Sequence, residues 1–288
     1  SIRLIDLEEK TVTMQASLSA TGDKPAIINW TVDENQDMII SRDLGKDGNV
    51  NVLKTRASEF KSEVKLGNSK QQAAVGAFVH PQTGNIYYAL YKDQSIYEYK
   101  FEDKTTNVIA SHPRVKETLR MVVHPTGKYA YLLRQYNERG NGYISRMDYN
   151  STANQFTTPY IVAGSASGSG YRDGVGSRVQ MNGPTQGVFV KNPEYAGEED
   201  EYDFYFCDER NHCIRILTPT GRVVTFAGRG NDSSDPGFAN GALRSEARFA
   251  YPWALAYDEK RKCFYVGERG MNRDGKEQAV IRKIAMEE

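Results

Sequence analysis

Short apolar stretches separated by polar turns run along the whole chain, and this alternation is typical of antiparallel β-sheet. The recurring unit is an apolar strand, a polar turn with Gly, Asn, Asp or Pro, and a second strand rich in aromatic residues. Its strands alternate apolar and polar positions or are apolar throughout, as in sheets that stack face to face. The unit begins at five places, residues 26–41, 74–91, 119–134, 186–206 and 253–268.

The repetition predicts an all-β fold, a β-propeller of four-stranded antiparallel blades. One or two further strands follow each unit, and blades repeated around an axis leave only short, protected edges. Each blade buries its apolar face against its neighbours, so a single repeat is not stable alone. No helix of ordinary length is evident. The best helical candidate, residues 244–249, is short and fits a loop turn equally well.

The two ends of the chain bear on the number of blades. Residues 1–14 match the third and fourth strands of a blade, because Ile2-Arg3 aligns with Ile214-Arg215 and Ile281-Arg282. Either residues 1–14 help to complete the last blade, which gives about five blades, or the first blade is incomplete and upstream sequence completes a ring of six. We favour six blades for the intact ring. We expect one propeller domain over residues 1–288.

The C-terminal half resembles the NHL-repeat family. Residues 161–228 read as an NHL repeat with its inter-blade insert, which contains Ala-Gly at 163–164, Gly-Tyr-x-Asp-Gly-x-Gly at 170–176 and Pro-x-x-Gly at 184–187. The Asp-x-x-Asn-x-x-Ile-Arg pattern follows at residues 208–215.

A weaker copy of the insert occupies residues 226–255, whereas residues 26–160 lack both the insert and the Asp-x-x-Asn signature. The resemblance is to the propeller part of Bacteroides-type cell-surface proteins that join an IPT/TIG immunoglobulin-like module to an NHL propeller. It implies an extracellular or cell-surface location, outer-membrane anchored or periplasmic, and partner proteins of a surface uptake system. No IPT/TIG-like module is visible in the chain, and the resemblance places it before residue 1.

Composition excludes some classes of protein. Lys+Arg and Asp+Glu are both 37, so the formal net charge is zero, which disfavours nucleic acid as a partner. No apolar run approaches the roughly 20 residues of a transmembrane helix. Cys207 and Cys213 flank a short turn, so a disulfide between them is conceivable, but free buried thiols are the favoured interpretation.

Two Gly-rich inserts, residues 164–183 and 228–251, are the candidates for loops at the mouth of the propeller channel. Loops longer than about 12–15 residues are uncommon and often functional. Aromatic and charged side chains in or beside them suit sugar stacking or peptide anchoring. The alternative is structural filler, with Asp173 capping a turn and Trp253 buried between blades. The candidate ligand-binding residues are Tyr171, Arg172, Asp173, Tyr251 and Trp253.

Four arginines follow the second strands of four blades, in the tetrapeptides ISRD, LLRQ, CDER and VGER. If those turns face the channel, a partial ring of guanidinium groups favours an anionic ligand. The alternative is ion pairing with the neighbouring Asp43, Glu209 and Glu268. The four are Arg42, Arg134, Arg210 and Arg269. Asp208 and Arg215, by contrast, are expected to form a structural hydrogen bond or ion pair that recurs from blade to blade.

Support for catalysis is thin. His80 and His124 lie in Val-His-Pro turns, and no Gly-x-Ser-x-Gly, His-Glu-x-x-His or phosphate-loop motif occurs. The acidic run at 194–203 lacks the spacing of a calcium loop and reads as a solvated hairpin tip. We expect no cofactor, with calcium or another channel metal as an open alternative.

The leading hypothesis is therefore a noncatalytic ligand-binding or scaffold propeller of a bacterial cell surface, with a polysaccharide or peptide ligand. A propeller lyase or hydrolase with a channel metal is the alternative. An RNA-binding NHL domain is the least favoured interpretation.

Overall fold

The computed structural model describes residues 2–6, 11–16, 26–32, 38–43, 50–56, 59–66, 74–90, 93–100, 102–115, 118–134, 142–230, 236–271 and 277–285. Side chains are described from Ala77 onward, except Leu90, Leu119, Arg134, Met271, Glu277 and Gln278. The described elements are β-strands and short 3-10 turns, and the chain divides into two compact units.

The first unit comprises residues 1–128 and 149–158. It contains a hairpin (β1–β2) and two sheets in which four consecutive strands pair antiparallel (β3–β6 and β7–β10), as the repeat predicts. A 3-10 turn lies at Pro113–Val115. The strands are β1 (Ile2–Asp6), β2 (Thr11–Ala16), β3 (Ala26–Val32), β4 (Met38–Asp43), β5 (Val50–Arg56), β6 (Glu59–Leu66), β7 (Ala74–Val79), β8 (Ile86–Leu90), β9 (Ser95–Tyr99), β10 (Thr106–Ser111) and β11 (Thr118–Val123).

The second unit comprises residues 129–148 and 159–288. Strand β13 pairs with β12 and β15 here, and its last two residues pair with β14 in the first unit. Strands β17 to β20 form a four-stranded meander with β16 outside β20, and β21 to β23 form a three-stranded sheet. The strands are β12 (Tyr129–Arg134), β13 (Gly142–Asn150), β14 (Gln155–Phe156), β15 (Tyr160–Ser165), β16 (Gly174–Val175), β17 (Pro184–Lys191), β18 (Tyr202–Asp208), β19 (Cys213–Leu217), β20 (Arg222–Ala227), β21 (Pro252–Asp258), β22 (Cys263–Met271) and β23 (Glu277–Ala285).

Strand β18 shows how the sheets of the second unit stack. Six of its seven residues are buried, because successive side chains point to opposite faces and both faces are covered. Phe204 packs on Tyr131 of β12, with ring centroids 5.0 Å apart. Tyr205, on the other face, packs on Phe264 of β22 at 4.7 Å. Sheets that pack on both faces explain why this strand is apolar throughout.

The best helical candidate is not a helix, because residues 243–246 form a turn and residues 247–249 are irregular. Residues 194–201 of the acidic run form the hairpin loop between β17 and β18, with a 3-10 turn at Pro193–Tyr195 and exposed residues at 194 and 196–199, as predicted. The end of the run departs from the prediction, because Asp203 belongs to β18 and is buried. The three cysteines, Cys207, Cys213 and Cys263, are buried free thiols, so the conceivable Cys207–Cys213 disulfide is absent. Burial raises the pKa of Cys207 and of Cys213 well above the ordinary value.

Candidate functional site

The first insert is tied to its sheet by a buried guanidinium. Arg215 on β19 is fully buried and pairs with the equally buried Asp208 at the end of β18, with Nη1 and Oδ2 2.9 Å apart. Its other donors reach the insert, where they bind the carbonyl oxygens of Gln180 and Arg172 and the carboxylate of Asp173. Burial acts to lower the pKa of Arg215, but Asp208 outweighs it and holds that pKa above its ordinary value. The predicted Asp208–Arg215 ion pair is confirmed.

The same arrangement recurs in the next sheet. Arg282 on β23 pairs with the buried Glu268 on β22, with Nη1 and Oε1 3.3 Å apart. Arg282 also donates to the carbonyl oxygens of Arg248 and Ala239 and to the side chain of Asn240 in the second insert. Each insert is thus tied to its sheet by one arginine, the fully buried Arg215 or the largely buried Arg282, whose side chain is 13% exposed. We call the two inserts straps.

Three of the predicted ligand-binding residues belong to the first strap. Asp173 accepts from Arg215 and from the backbone N–H and hydroxyl of Thr225. The Tyr171 hydroxyl lies 2.7 Å from the Thr225 hydroxyl, and Arg172 Nε donates to the Arg178 carbonyl oxygen at 2.6 Å. Asp173 and Tyr171 therefore hold the strap to β19 and β20, whereas the exposed Arg172 side chain bonds within the strap.

The second insert ends at Tyr251, beside a group of side chains at the start of β21 and in β22. Arg269 on β22 lies over Trp253 at the start of β21, with Cζ 4.7 Å from the ring centroid. The backbone N–H of Arg269 donates to the carbonyl oxygen of Tyr251 at 3.0 Å. The Arg269 side chain is 54% exposed, and Tyr251 and Trp253 are half-buried. The Trp253 ring therefore lies beside an accessible guanidinium.

Two residues from the turn between β18 and β19 complete this group. The His212 ring stands nearly perpendicular to the Tyr251 ring at 4.5 Å, and Tyr251 N–H donates to His212 Nδ1 at 3.2 Å. Glu209, of which only 9% of the side chain is exposed, lies with Oε1 4.0 Å from Arg269 Nη1. We call Glu209, His212, Tyr251, Trp253 and Arg269 the Trp253 cluster.

Tyr251 adopts a backbone conformation that a bulky residue rarely takes. Its φ is 53°, in the left-handed region, where a non-glycine residue costs about 1–3 kcal/mol. The equivalent position before the preceding first strand is Gly183, with φ 87°. Both residues stand directly before the proline that begins the strand, Pro184 or Pro252. A tyrosine where the neighbouring repeat has glycine is an outlier of the kind found at binding sites.

The four arginines do not share one position. Asp208 and Glu268 occupy matching sites opposite Pro184 and Pro252. Arg210 lies two residues beyond Asp208, in the 3-10 turn Glu209–Asn211, whereas Arg269 directly follows Glu268 inside β22. Arg42 lies within β4 and Arg134 ends β12, and their side chains are outside the described residues. Of the four, the structure brings Arg269 into the Trp253 cluster.

Glu209 and His212 are not among the ligand-binding residues that the sequence predicts. The sequence offers Glu209 only as an ion-pair partner for the arginines. Glu209 is brought near Arg269 because the sheet that contains β18 stacks on the sheet that contains β22. A usable signal was the alignment of Asn-Gly-Pro at 182–184 with Ala-Tyr-Pro at 250–252, which marks Tyr251 as unusual.

The histidines His80 and His124 are turn residues, as predicted. Each Nδ1 accepts the backbone N–H two residues ahead, at Gln82 and Thr126, both at 3.2 Å. Within the described part of the chain, no three His, Cys, Asp or Glu side chains lie close enough to hold a metal ion, and no helix is long and apolar enough to cross a bilayer.

A cavity of about 950 Å³ lies between the second insert and β23. Leu243, Phe249 and Ile284 are among its lining residues. In the preceding sheet, the corresponding edge of β19 is occupied by β20. Because β23 is the last described strand of its sheet, the cavity lies along the edge of that sheet, where the preceding sheet has a fourth strand.

No protein-family model matches the chain, and no curated protein sequence matches it. Solved structures do. An auxiliary nutrient binding protein from Bacteroides ovatus is 39% identical with a TM-score of 0.81, and one from Bacteroides thetaiotaomicron is 38% identical with a TM-score of 0.79. The matches cover 99% and 98% of this chain, which spans 64% and 63% of theirs. A putative phosphatase from Bacteroides thetaiotaomicron is 32% identical, with a TM-score of 0.78, and the match covers 99% of this chain and 66% of that one.

More distant structures support the fold alone. The nidogen/laminin complex matches at 13% identity with a TM-score of 0.59 over 98% of this chain and 89% of that one. These neighbours are β-propellers, and the described sheets are antiparallel, with four consecutive strands paired in β3–β6, β7–β10 and β17–β20, so the predicted fold class is confirmed.

Proposed function

We propose that this chain is a noncatalytic, ligand-binding propeller that captures a glycan nutrient at a bacterial cell surface. The observation that carries the proposal is the Trp253 cluster, where the accessible Arg269 guanidinium lies over an indole and the backbone of Arg269 is bonded to Tyr251. Aromatic faces stack on the apolar faces of sugar rings, and a guanidinium supplies hydrogen-bond donors in a fixed plane.

Similarity to Bacteroides proteins described as auxiliary nutrient binding proteins supports the same class of function. It also supports a place at the cell surface or in the periplasm, beside partner proteins of an uptake system. The NHL character of the repeats belongs to this proposal as well, because it rests on the motifs at 161–228.

A glycan array followed by isothermal titration calorimetry tests the proposal. We expect saturable binding of at least one oligosaccharide, weakened at least about tenfold in Trp253→Ala, since a buried aromatic anchor contributes more than about 1.4 kcal/mol. Arg222→Ala is the matched control, because Arg222 is exposed at the hairpin end of β20. Equal binding by the wild type, Trp253→Ala and Arg222→Ala would contradict the proposal.

Similarity to a putative phosphatase, at 32% identity, calls for a second experiment, an assay for phosphatase activity. The purified protein is incubated with p-nitrophenyl phosphate, with and without added divalent metal. We expect no turnover above that of a heat-denatured sample. Turnover that is lost in Glu209→Gln or His212→Ala would contradict a noncatalytic role.

A further inference from the structure

We infer that the glycan bound at the Trp253 cluster carries a carboxylate, as uronic-acid saccharides do, and that Arg269 is the residue that selects it. The inference rests on the proposed function. It concerns which glycans the cluster accepts, and its first support is the state of the Arg269 side chain.

The Arg269 guanidinium lies against an aromatic ring and is accessible. Its Cζ is 4.7 Å from the centroid of the Trp253 ring, and the backbone N–H of Arg269 donates to the Tyr251 carbonyl oxygen. Among the described residues its nearest acidic neighbour is Glu209, with Oε1 4.0 Å from Arg269 Nη1, which is too far for a hydrogen bond. The planar fork of guanidinium donors matches the two oxygens of a carboxylate.

The difference in burial between Glu209 and Arg269 determines which charge is accessible to a ligand. The Glu209 side chain is 9% exposed, whereas that of Arg269 is 54% exposed. The neighbouring Glu268 is buried and is paired with Arg282. The accessible charge of the cluster is therefore positive, although Glu209 lies beside it.

Comparison of adjacent repeats shows that this charge is particular to one sheet. The residue that follows the buried carboxylate is Glu209 after Asp208 and Arg269 after Glu268. The position before the first strand likewise changes from Gly183 to Tyr251. A cation and an aromatic ring thus replace an acid and a glycine at matching places, and both face the same cluster.

The experiment compares probes that differ only in charge. Calorimetry measures binding of oligogalacturonate, hyaluronan-derived and alginate-derived oligosaccharides, each beside its methyl-esterified form, together with neutral gluco- and mannan-oligosaccharides. We expect at least one free acid to bind about tenfold or more tighter than its ester, and 0.5 M NaCl to reduce that difference. Arg269→Gln abolishes the preference, and Arg269→Lys retains part of it.

The outcomes separate the two proposals. Saturable binding of neutral or esterified saccharides with equal or higher affinity, lost in Trp253→Ala but unchanged in Arg269→Gln, overturns the carboxylate inference and leaves the glycan function standing. Absence of binding by every saccharide, acidic or neutral, overturns the glycan function and the inference with it. Circular dichroism of each variant confirms that the fold is retained.

Discussion

Gly183 and Tyr251 occupy the same place in consecutive repeats, each with positive φ and each directly before the proline that begins a first strand. The glycine accepts this conformation without strain, and the tyrosine does not. The Tyr251 side chain lies against His212 and its carbonyl oxygen binds Arg269. Tyr251 therefore holds a strained backbone conformation at the position where its side chain and its carbonyl oxygen both contact the proposed binding site.

Tyr251→Gly should therefore separate binding from stability. Loss of the ring contact with His212 costs stability, but relief of the left-handed strain offsets it, so we expect the free energy of unfolding to change by less than about 1 kcal/mol. Glycan affinity should fall at least about tenfold because an aromatic face is lost. Urea unfolding and calorimetry measure the two effects.

The matched control for this change is Gly183→Ala. It should cost about 1 kcal/mol of stability, because alanine is disfavoured at φ 87°, and should leave affinity unchanged. If Tyr251→Gly instead lowers the free energy of unfolding by several kcal/mol while its glycan affinity equals that of the wild type, Tyr251 is a packing residue.

Arg215→Met should destabilise the second unit strongly. It leaves the fully buried Asp208 without its cation and releases the strap at Asp173 and Arg172. Breaking a buried pair on one side costs about 3–5 kcal/mol, measurable by urea unfolding. The double variant Asp208→Asn/Arg215→Met should recover part of the loss, and a double variant no more stable than the single one would contradict this account of the ion pair.

The Asp208–Arg215 ion pair illustrates how much the sequence could predict. The Asp-x-x-Asn-x-x-Ile-Arg pattern is local, since Asp208 and Arg215 lie on paired strands joined by a short turn. Alternating apolar positions likewise predict strands and stacked sheets. These features depend on neighbours within one repeat, and the structure contains them.

The Trp253 cluster could not be predicted in the same way. Glu209 comes from the turn before β19, Trp253 from β21 and Arg269 from β22, so their proximity depends on how one sheet stacks on the next. The strap residues show the converse. Tyr171, Arg172 and Asp173 look like a ligand-binding loop in sequence. In the structure Tyr171 and Asp173 bond to the strap's own sheet, and Arg172 bonds to Arg178 within the strap.

His80 should give the protein an acid-sensitive stability. Burial lowers its pKa from 6.5 to about 4, so below pH 6.5 the unfolded chain binds a proton that the folded chain does not. Stability is then full above about pH 6.5 and falls as the pH drops toward 4, by at most about 3 kcal/mol.

Urea unfolding between pH 4 and 7 checks this dependence. His80→Gln should flatten the stability-versus-pH curve over that range. His112→Gln is the control, because His112 is a half-buried turn residue that likewise accepts a backbone N–H through Nδ1. A slope that His80→Gln leaves unaltered would show that other groups cause the acid sensitivity.

The three cysteines should be inert in the folded protein. Cys207, Cys213 and Cys263 are free and buried, and burial raises the pKa of the first two thiols. Ellman's reagent should label none of them under native conditions and all three in 6 M guanidinium chloride. Ser177→Cys, at an exposed turn, provides a rapidly labelled reference. Rapid labelling of the native wild type would contradict the described packing.

The most direct test of the central claim, that ligand binds at the Trp253 cluster, uses tryptophan fluorescence. The chain has two tryptophans, Trp30 and Trp253, so Trp30→Phe leaves Trp253 as the single reporter and Trp253→Phe leaves Trp30. Each variant is titrated with an oligosaccharide that calorimetry shows to bind. The account predicts a saturable emission change in Trp30→Phe, at the concentration range found by calorimetry, and none in Trp253→Phe. A saturable change in Trp253→Phe, with an unchanged spectrum in Trp30→Phe, would place the ligand elsewhere and contradict the account.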